Sequence, residues 1–169
     1  NNYTNHANSF IVKSSDVYVN VTGHGTGSNA NSDVANWTYA MENAFVGMKI
    51  ILLEGRYEKI VNQTIALPMT IVGLGNTVID ANKSGRVFNI TADYVVLENI
   101  IFENGLITGN GGSVYFEGIN GNIINCIFNY NKASNGGAVY SGDNSTIINC
   151  SFYYNNATSG GGIYCGSKS

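Results

Sequence analysis

A chain of 169 residues with a formal net charge of −3 and only eight Lys plus Arg can build one domain with a real core, but it lacks the basic footprint that nucleic-acid binding needs. Charged residues make up 11%, well below the usual rough quarter, while 44% are hydrophobic; disorder is therefore excluded, and the polar surface must come from Asn, Ser, Thr, Gly and Tyr. No apolar run reaches the roughly 18 residues of a membrane span, so no membrane insertion is expected in this segment.

In chain order, residues 1–15 read as a loosely ordered N-terminal segment. The opening NNYT has neither Met nor a signal sequence, which reads as a processed or excised piece. Residues 16–47 read as a cap. DVYVNV (16–21) is a capping strand. GHGTGS (23–28) is Gly-rich, but no Lys-Ser/Thr follows it, so it reads as a flexible connection and not a phosphate loop. SDVANWTYAMENAFV (32–46) predicts an amphipathic helix capped by Ser32 or Asp33, with Val34, Trp37, Met41, Ala44 and Phe45 on one face. From residue 48 to 169 short strands follow: 48–57, 59–67, 70–75, 77–80, 86–90 and 94–100. The single proline, Pro68, suits strands that need their N–H groups.

The strands belong to a repeat. Residues 122–145 and 146–169 align without a gap, and 13 of the 24 positions are identical, which sets the period at which structure must repeat. Weaker copies lie upstream: Asn99 and Phe102 stand one unit before Asn125 and Phe128, and GGSVY, GGAVY and GGGIY recur at 111, 136 and 160. Within each unit apolar residues alternate by twos, the strand signal. Leu97, Ile123 and Ile147 share one column; Ile100, Cys126 and Cys150 a second; Phe102, Phe128 and Phe152 a third.

Units of about 24–26 residues, each with two or three short strands, predict an all-β fold, a single-stranded right-handed parallel β-helix with an N-terminal capping helix. Coils stacked about 4.8 Å apart place like residues on like. Asn99, Asn125 and Asn149 would form an asparagine ladder at a turn, where Asn tolerates a left-handed backbone. The Phe column fills the core, and each Gly-Gly pair allows a tight corner. A unit that ends at Ser169 leaves a raw coil edge, so further repeats or end-to-end self-association are expected there.

The segment TIVGLGNTVIDANKSGRVFNITADYVVLENIIFENG resembles the β-helix of the pectin-lyase-like superfamily. The GG[AGS][VI]Y and NC-x-F-x-x-N units resemble repeats of adhesin-like surface proteins of methanogenic archaea and of chlamydial polymorphic outer-membrane proteins. The resemblance spans about residues 16–169. It implies a secreted or cell-surface chain used for attachment or as a spacer.

The candidate sites follow from the columns. Tyr115, Tyr140 and Tyr164 alternate with the inward Val114, Val139 and Ile163 and so face outward; Tyr130 and Tyr154 make a second short column. Such rows can contact sugar rings or protein partners, or simply stack on each other. Cys126 and Cys150 fit buried free thiols better than a disulfide, because parallel side chains meet the required dihedral poorly; the disulfide stays open as an alternative. Cys165 stands apart in the column of Phe116 and Ser141. With three cysteines and no close-spaced pair, and with His6 and His24 in a polar stretch, no metal site or cofactor is expected. Nine Asn-x-Ser/Thr sites, more than chance, point to an exported chain, although Asn149 in the ladder should stay unmodified. The eleven acidic residues read as scattered, with no two on stacked columns, and Arg56 and Arg86 are the only arginines.

The function expected is a non-enzymatic extracellular adhesin-like module whose partner is a target-cell surface, glycan or protein. The alternatives are a carbohydrate-active lyase or hydrolase of the same fold, marked by clustered carboxylates or basic residues in one groove, and a structural stalk or filament unit.

Overall fold

The structure, a computed structural model, describes residues 16–166. The expected loose segment 1–15, with His6 and Asn2, lies outside them. The cap consists of β1 (Asp16–Val19) and α1 (Trp37–Glu42). Coil 1 holds β2 (Lys49–Leu52), β3 (Gly55–Tyr57) and β4 (Gln63–Ile65); coil 2 holds β5 (Thr70–Gly73), β6 (Thr77–Asp80) and β7 (Phe88–Ile90). Coil 3 has β8 (Val96–Glu98), β9 (Ile101–Glu103) and β10 (Val114–Phe116). Coil 4 has β11 (Asn122–Ile124), β12 (Ile127–Asn129), β13 (Lys132–Asn135) and β14 (Val139–Ser141). Coil 5 has β15 (Thr146–Ile148), β16 (Ser151–Tyr153), β17 (Asn156–Ser159) and β18 (Ile163–Cys165).

The fold is an all-β parallel solenoid. Its sheets run β1-β2-β5-β8-β11-β15, β3-β6-β9-β12-β16 and β4-β7-β10-β14-β18, with β13 and β17 as a fourth, two-stranded sheet. On the first sheet Lys49 pairs Thr70, Thr70 pairs Val96, Val96 pairs Asn122 and Asn122 pairs Thr146. The first of these steps is the shortest, and the later ones match the spacing of the sequence repeat. The fourth strand is a difference from the two or three expected per unit. KASN and NATS are polar and short, so their strand character comes from pairing with each other (Ala133 with Ala157), not from propensity.

The corners explain the repeated Asn and Gly. Asn99, Asn125 and Asn149 sit at φ 55, 54 and 51°, and Gly111, Gly136 and Gly160 at 63, 64 and 61°. Asn tolerates that left-handed backbone and Gly adopts it freely. The second glycine of each pair has another reason: a Cβ on Gly112 or Gly137 would collide with the carbonyl of Gly137 or Gly161 on the next coil.

The core is one continuous column. Phe102, Phe128 and Phe152 stack at 5.0 Å between ring centres, with planes 8° and 5° apart. Above them Phe88 meets Phe102 edge-on at 5.9 Å, and Trp37 of the cap lies 5.6 Å from Phe88. In the column of Phe102, coils 1 and 2 place Tyr57 and Ile79, both buried. An aromatic spine thus runs from the cap to the last coil, and burying these rings supplies the hydrophobic driving force.

The cap departs from the expected long helix over 32–46. Helix α1 has six residues and starts later, with Asn36 as its N-cap; the Asn36 Oδ1 accepts the Tyr39 N–H at 2.8 Å. Asp33 does not cap. Its carboxylate turns back to accept from Thr26 N at 2.7 Å, Ser28 Oγ at 2.5 Å and Thr26 Oγ1. Hydrogen bonds from Ser28, then Thr26, hold its pKa down at about 2. The same bonds correct the reading of 23–28 as a flexible connection. That loop is tied to its surroundings, with Gly27 O accepting from Tyr18 N at 2.9 Å and Gly25 N donating to Val34 O at 2.8 Å. Trp37 and Ala40 are the buried residues of α1, and Met41, Ala44 and Phe45 are partly buried beside the core.

Candidate functional site

The tyrosine columns form where strand alternation places them. Tyr115 pairs Tyr140 and Tyr140 pairs Tyr164, beside the Val114, Val139 and Ile163 column. Their rings meet edge-on at 5.1 Å and then stacked at 5.3 Å, and the Arg86 guanidinium lies 5.0 Å from the Tyr115 ring centre. Arg86 is fixed there by donating Nε–H to Gly111 O at 2.9 Å, and burial pulls its pKa down. Tyr115 and Tyr140 are half-buried, so this row is largely occupied by its own neighbours.

The second pair differs. Tyr130 and Tyr154 are 58% and 76% exposed, and Tyr153 beside them is 53% exposed. Their rings stack at 5.0 Å with planes 9° apart, so the faces between them are closed while the pair stays largely in solvent. Both sit in left-handed backbone, at φ 56 and 54°; at the same corner coil 3 uses Asn104 at φ 55°. A tyrosine there is strained by about 1 kcal/mol or more, while its ring buries little. Tyr94 repeats this at another corner, at φ 57° and 64% exposed.

The predicted ladder and a second one lie in different surroundings. Asn99, Asn125 and Asn149 are exposed, with Asn149 Nδ2 donating to Asn125 Oδ1 at 2.8 Å. The buried amide ladder is formed by Asn131 and Asn155, which sequence reasoning missed. The Asn131 Oδ1 accepts from Gly105 N at 2.7 Å and Ser113 Oγ at 2.5 Å, while its Nδ2 donates to Phe102 O at 3.2 Å and Asn155 Oδ1 at 3.0 Å. The signal was present, since both residues end the repeated phrases IFNYN and SFYYN.

Cys126 is buried, Cys150 half-buried and Cys165 exposed, all as free thiols. The Cys126 N–H donates to Cys150 Sγ at 3.4 Å. A side-chain hydrogen bond between the two thiols, then burial, pushes the Cys126 thiol up, and the same side-chain bond pulls the Cys150 thiol below its ordinary value.

The acidic residues need a correction. Asp80 pairs Glu103 on adjacent strands, so two carboxylates do stack. They stand closer in sequence than one regular repeat, because coil 2 has a wide corner at 73–76, and a fixed period misses the pairing. Arg56 bridges them, contacting Glu103 Oε2 at 3.0 Å and Asp80 Oδ2, with Glu58 Oε1 at 3.9 Å. Asp80 also accepts from Asn104 Nδ2 at 2.9 Å and Asn82 N at 2.8 Å. Burial opposes its charge, but those bonds and Arg56 outweigh it and hold its pKa below the usual carboxylate range. A carboxyl held ionised in this way is a poor proton donor.

A cleft of about 450 Å³ separates the cap from coil 1. Trp37, Tyr57 and Ile60 line it, with Thr22, His24, Thr38, Glu58 and Lys59 at its polar positions. Burial pushes the Tyr57 hydroxyl up, and it is spent on the carbonyls of Val19 and Leu53, at 2.9 and 2.7 Å. Among the described residues no helix is long and apolar enough to cross a membrane, and no group of three or more His, Cys, Asp or Glu side chains is placed to hold a metal.

Residues 125–142 match the Chlamydia polymorphic membrane protein repeat. The matched stretch holds the Asn125 corner, the Phe128 core ring, the buried Asn131 and the Gly136 corner, the parts from which one coil is built. No curated protein and no solved structure matches the chain.

Proposed function

We propose that a chain carrying this repeat is a non-enzymatic attachment module displayed at a cell surface, and that its exposed corner tyrosines touch the partner. The observation that carries the reading is the Tyr130–Tyr154 pair. Two tyrosines occupy left-handed corners where coil 3 has Asn, and both leave most of their surface in solvent. Strain without burial favours a role for the side chain outside the fold. Stacked rings present edges and hydroxyls, which suit a hydrogen-bonding macromolecular surface better than a single sugar lying flat on a ring.

The test is retention of the purified chain on whole cells and on insoluble polysaccharides, alongside Tyr130→Asn/Tyr154→Asn. Asn keeps the left-handed corner, so the fold is spared. Retention lost in the double variant supports the reading; undiminished retention removes the pair from it.

A second reading, a polysaccharide lyase or hydrolase, is favoured by one observation, the stacked Asp80 and Glu103 with Arg56. Release of oligosaccharides in the same assay, abolished by Asp80→Asn, would establish it. The stalk reading predicts neither retention nor release, with light scattering that rises with concentration.

A further inference from the structure

The repeat stacks two thiols. Cys126 Sγ lies 3.3 Å from Ile124 O and 3.7 Å from Leu97 O, and Cys150 Sγ lies 3.3 Å from Ile148 O and 3.5 Å from Ile123 O. Ile124 pairs Ile148 and Leu97 pairs Ile123, so the two sulfurs make the same contacts one coil apart. They are therefore separated by the coil step, about 4.8 Å, or slightly less where the thiols bond to each other.

That distance decides the chemistry. A disulfide needs its Cβ atoms about 3.8 Å apart, so the stacked coils would have to close by about 1 Å against their own backbone ladder. A metal–thiolate bond is about 2.3 Å long, and two in line span about 4.6 Å, which matches the step with the backbone in place. The surroundings limit the ion further. Among the described residues no group of three or more His, Cys, Asp or Glu side chains is placed to hold a metal, so the two sulfurs stand without a third such ligand. Structural zinc takes four ligands and calcium takes oxygen, whereas soft thiolate ligands select Cu(I). On binding, each thiol releases its proton to solvent and gives up a weak S–H···O bond, an exchange that only a strongly thiophilic ion drives. The ion cancels one of the two thiolate charges, and the Cys126 N–H, 3.4 Å from Cys150 Sγ, stabilises part of the other.

We propose that Cys126 and Cys150 bind one Cu(I) ion in a two-coordinate sulfur–metal–sulfur line between coils 4 and 5. Coil 3 places Ile100, 1% exposed, in the same column, so the site does not extend toward the cap. The site lies in the column of the core and does not depend on the role of the corner tyrosines.

The test uses the reduced chain carrying Cys165→Ser. That change removes the exposed third thiol and copies Ser141, its partner on coil 4. The chain is titrated anaerobically with Cu(I) against a colorimetric Cu(I) chelator, and with Zn(II) in parallel. One Cu(I) per chain is expected, with two sulfur neighbours and no nitrogen or oxygen in X-ray absorption, and no uptake of Zn(II). Cys150→Ser should weaken Cu(I) binding about 100-fold or more, beyond the roughly 10–100-fold of a change outside the ligand shell, with an unchanged melting temperature. Cys126→Ile copies Ile100, keeps the column apolar and should abolish the site equally. No Cu(I) binding, binding that survives either variant, equal uptake of Zn(II), or a nitrogen or oxygen neighbour overturns the proposal. So does recovery of a Cys126–Cys150 disulfide from the chain kept in air, because sulfurs that close to about 2 Å are not held at the coil step.

Discussion

In coils 3–5 a side chain meets its own kind: Phe128 has a phenylalanine 5.0 Å away on each side, and Tyr130 stacks on Tyr154. In the cap and coils 1 and 2 the same space is held by unlike partners. Trp37 packs on Phe88, Gln63 accepts from Trp37, and Arg56 joins Asp80 to Glu103. One backbone is thus stabilised in two ways. A strict period lets one solution be copied from coil to coil, because translation along the axis preserves every contact. Where the steps between coils are uneven, each contact must be solved separately, and the irregular corners open the cleft and gather the charges.

The largest expected effect lies in the regular coils, at Phe128→Ala. The ring is fully buried between two others, so a cavity costing about 3–5 kcal/mol is expected in urea unfolding. Phe152→Ala, at a half-buried ring, should cost visibly less; equal costs would mean that stacking does not set the core. Asn131→Ala comes next. It strips the partners from the buried Gly105 N–H and Ser113 hydroxyl, and should cost about 2–4 kcal/mol by the same measurement. A near-neutral result would remove the buried ladder from the account of the regular coils.

The exposed ladder makes a finer distinction. Asn125→Ala forces Ala into a left-handed corner and should cost about 1–2 kcal/mol, whereas Asn125→Gly should be nearly neutral. If both lose the same amount, the amide chain rather than the backbone matters at that corner. The smallest effect is expected on the irregular side. Arg56→Ala should cost about 1 kcal/mol at pH 7, discounted because the Arg56 side chain is 46% exposed. The folded pKa of Asp80 lies below the usual value, so its contribution is complete above about pH 4 and is lost as pH falls through the folded value. Removing Arg56 should therefore flatten the acid limb of a plot of stability against pH. An unchanged limb would show that Asn104 and the Asn82 N–H suffice.

The columns of Leu97, Phe102 and Tyr115 with their successors were legible because their spacing changes by no more than two residues from one coil to the next. The start of α1 was misread because Ser32 and Asp33 are both good caps in isolation, and only the competing hydroxyls of Thr26 and Ser28 decide that Asp33 faces elsewhere. The stacked pair Asp80–Glu103 was hidden by the wide corner of coil 2, which shortens the step between them.

The order of residues is enough to specify the parallel solenoid, its period, and which residues stack on which in coils 3–5, since a repeated pattern read along a line becomes a repeated contact in space. It took the folded chain to show which asparagine ladder is buried, which tyrosines keep open surface, where Arg56 finds its carboxylates, and that a cleft lies under the cap. Those features depend on corner conformations and on contacts between unlike residues far apart in the chain, and no period encodes them.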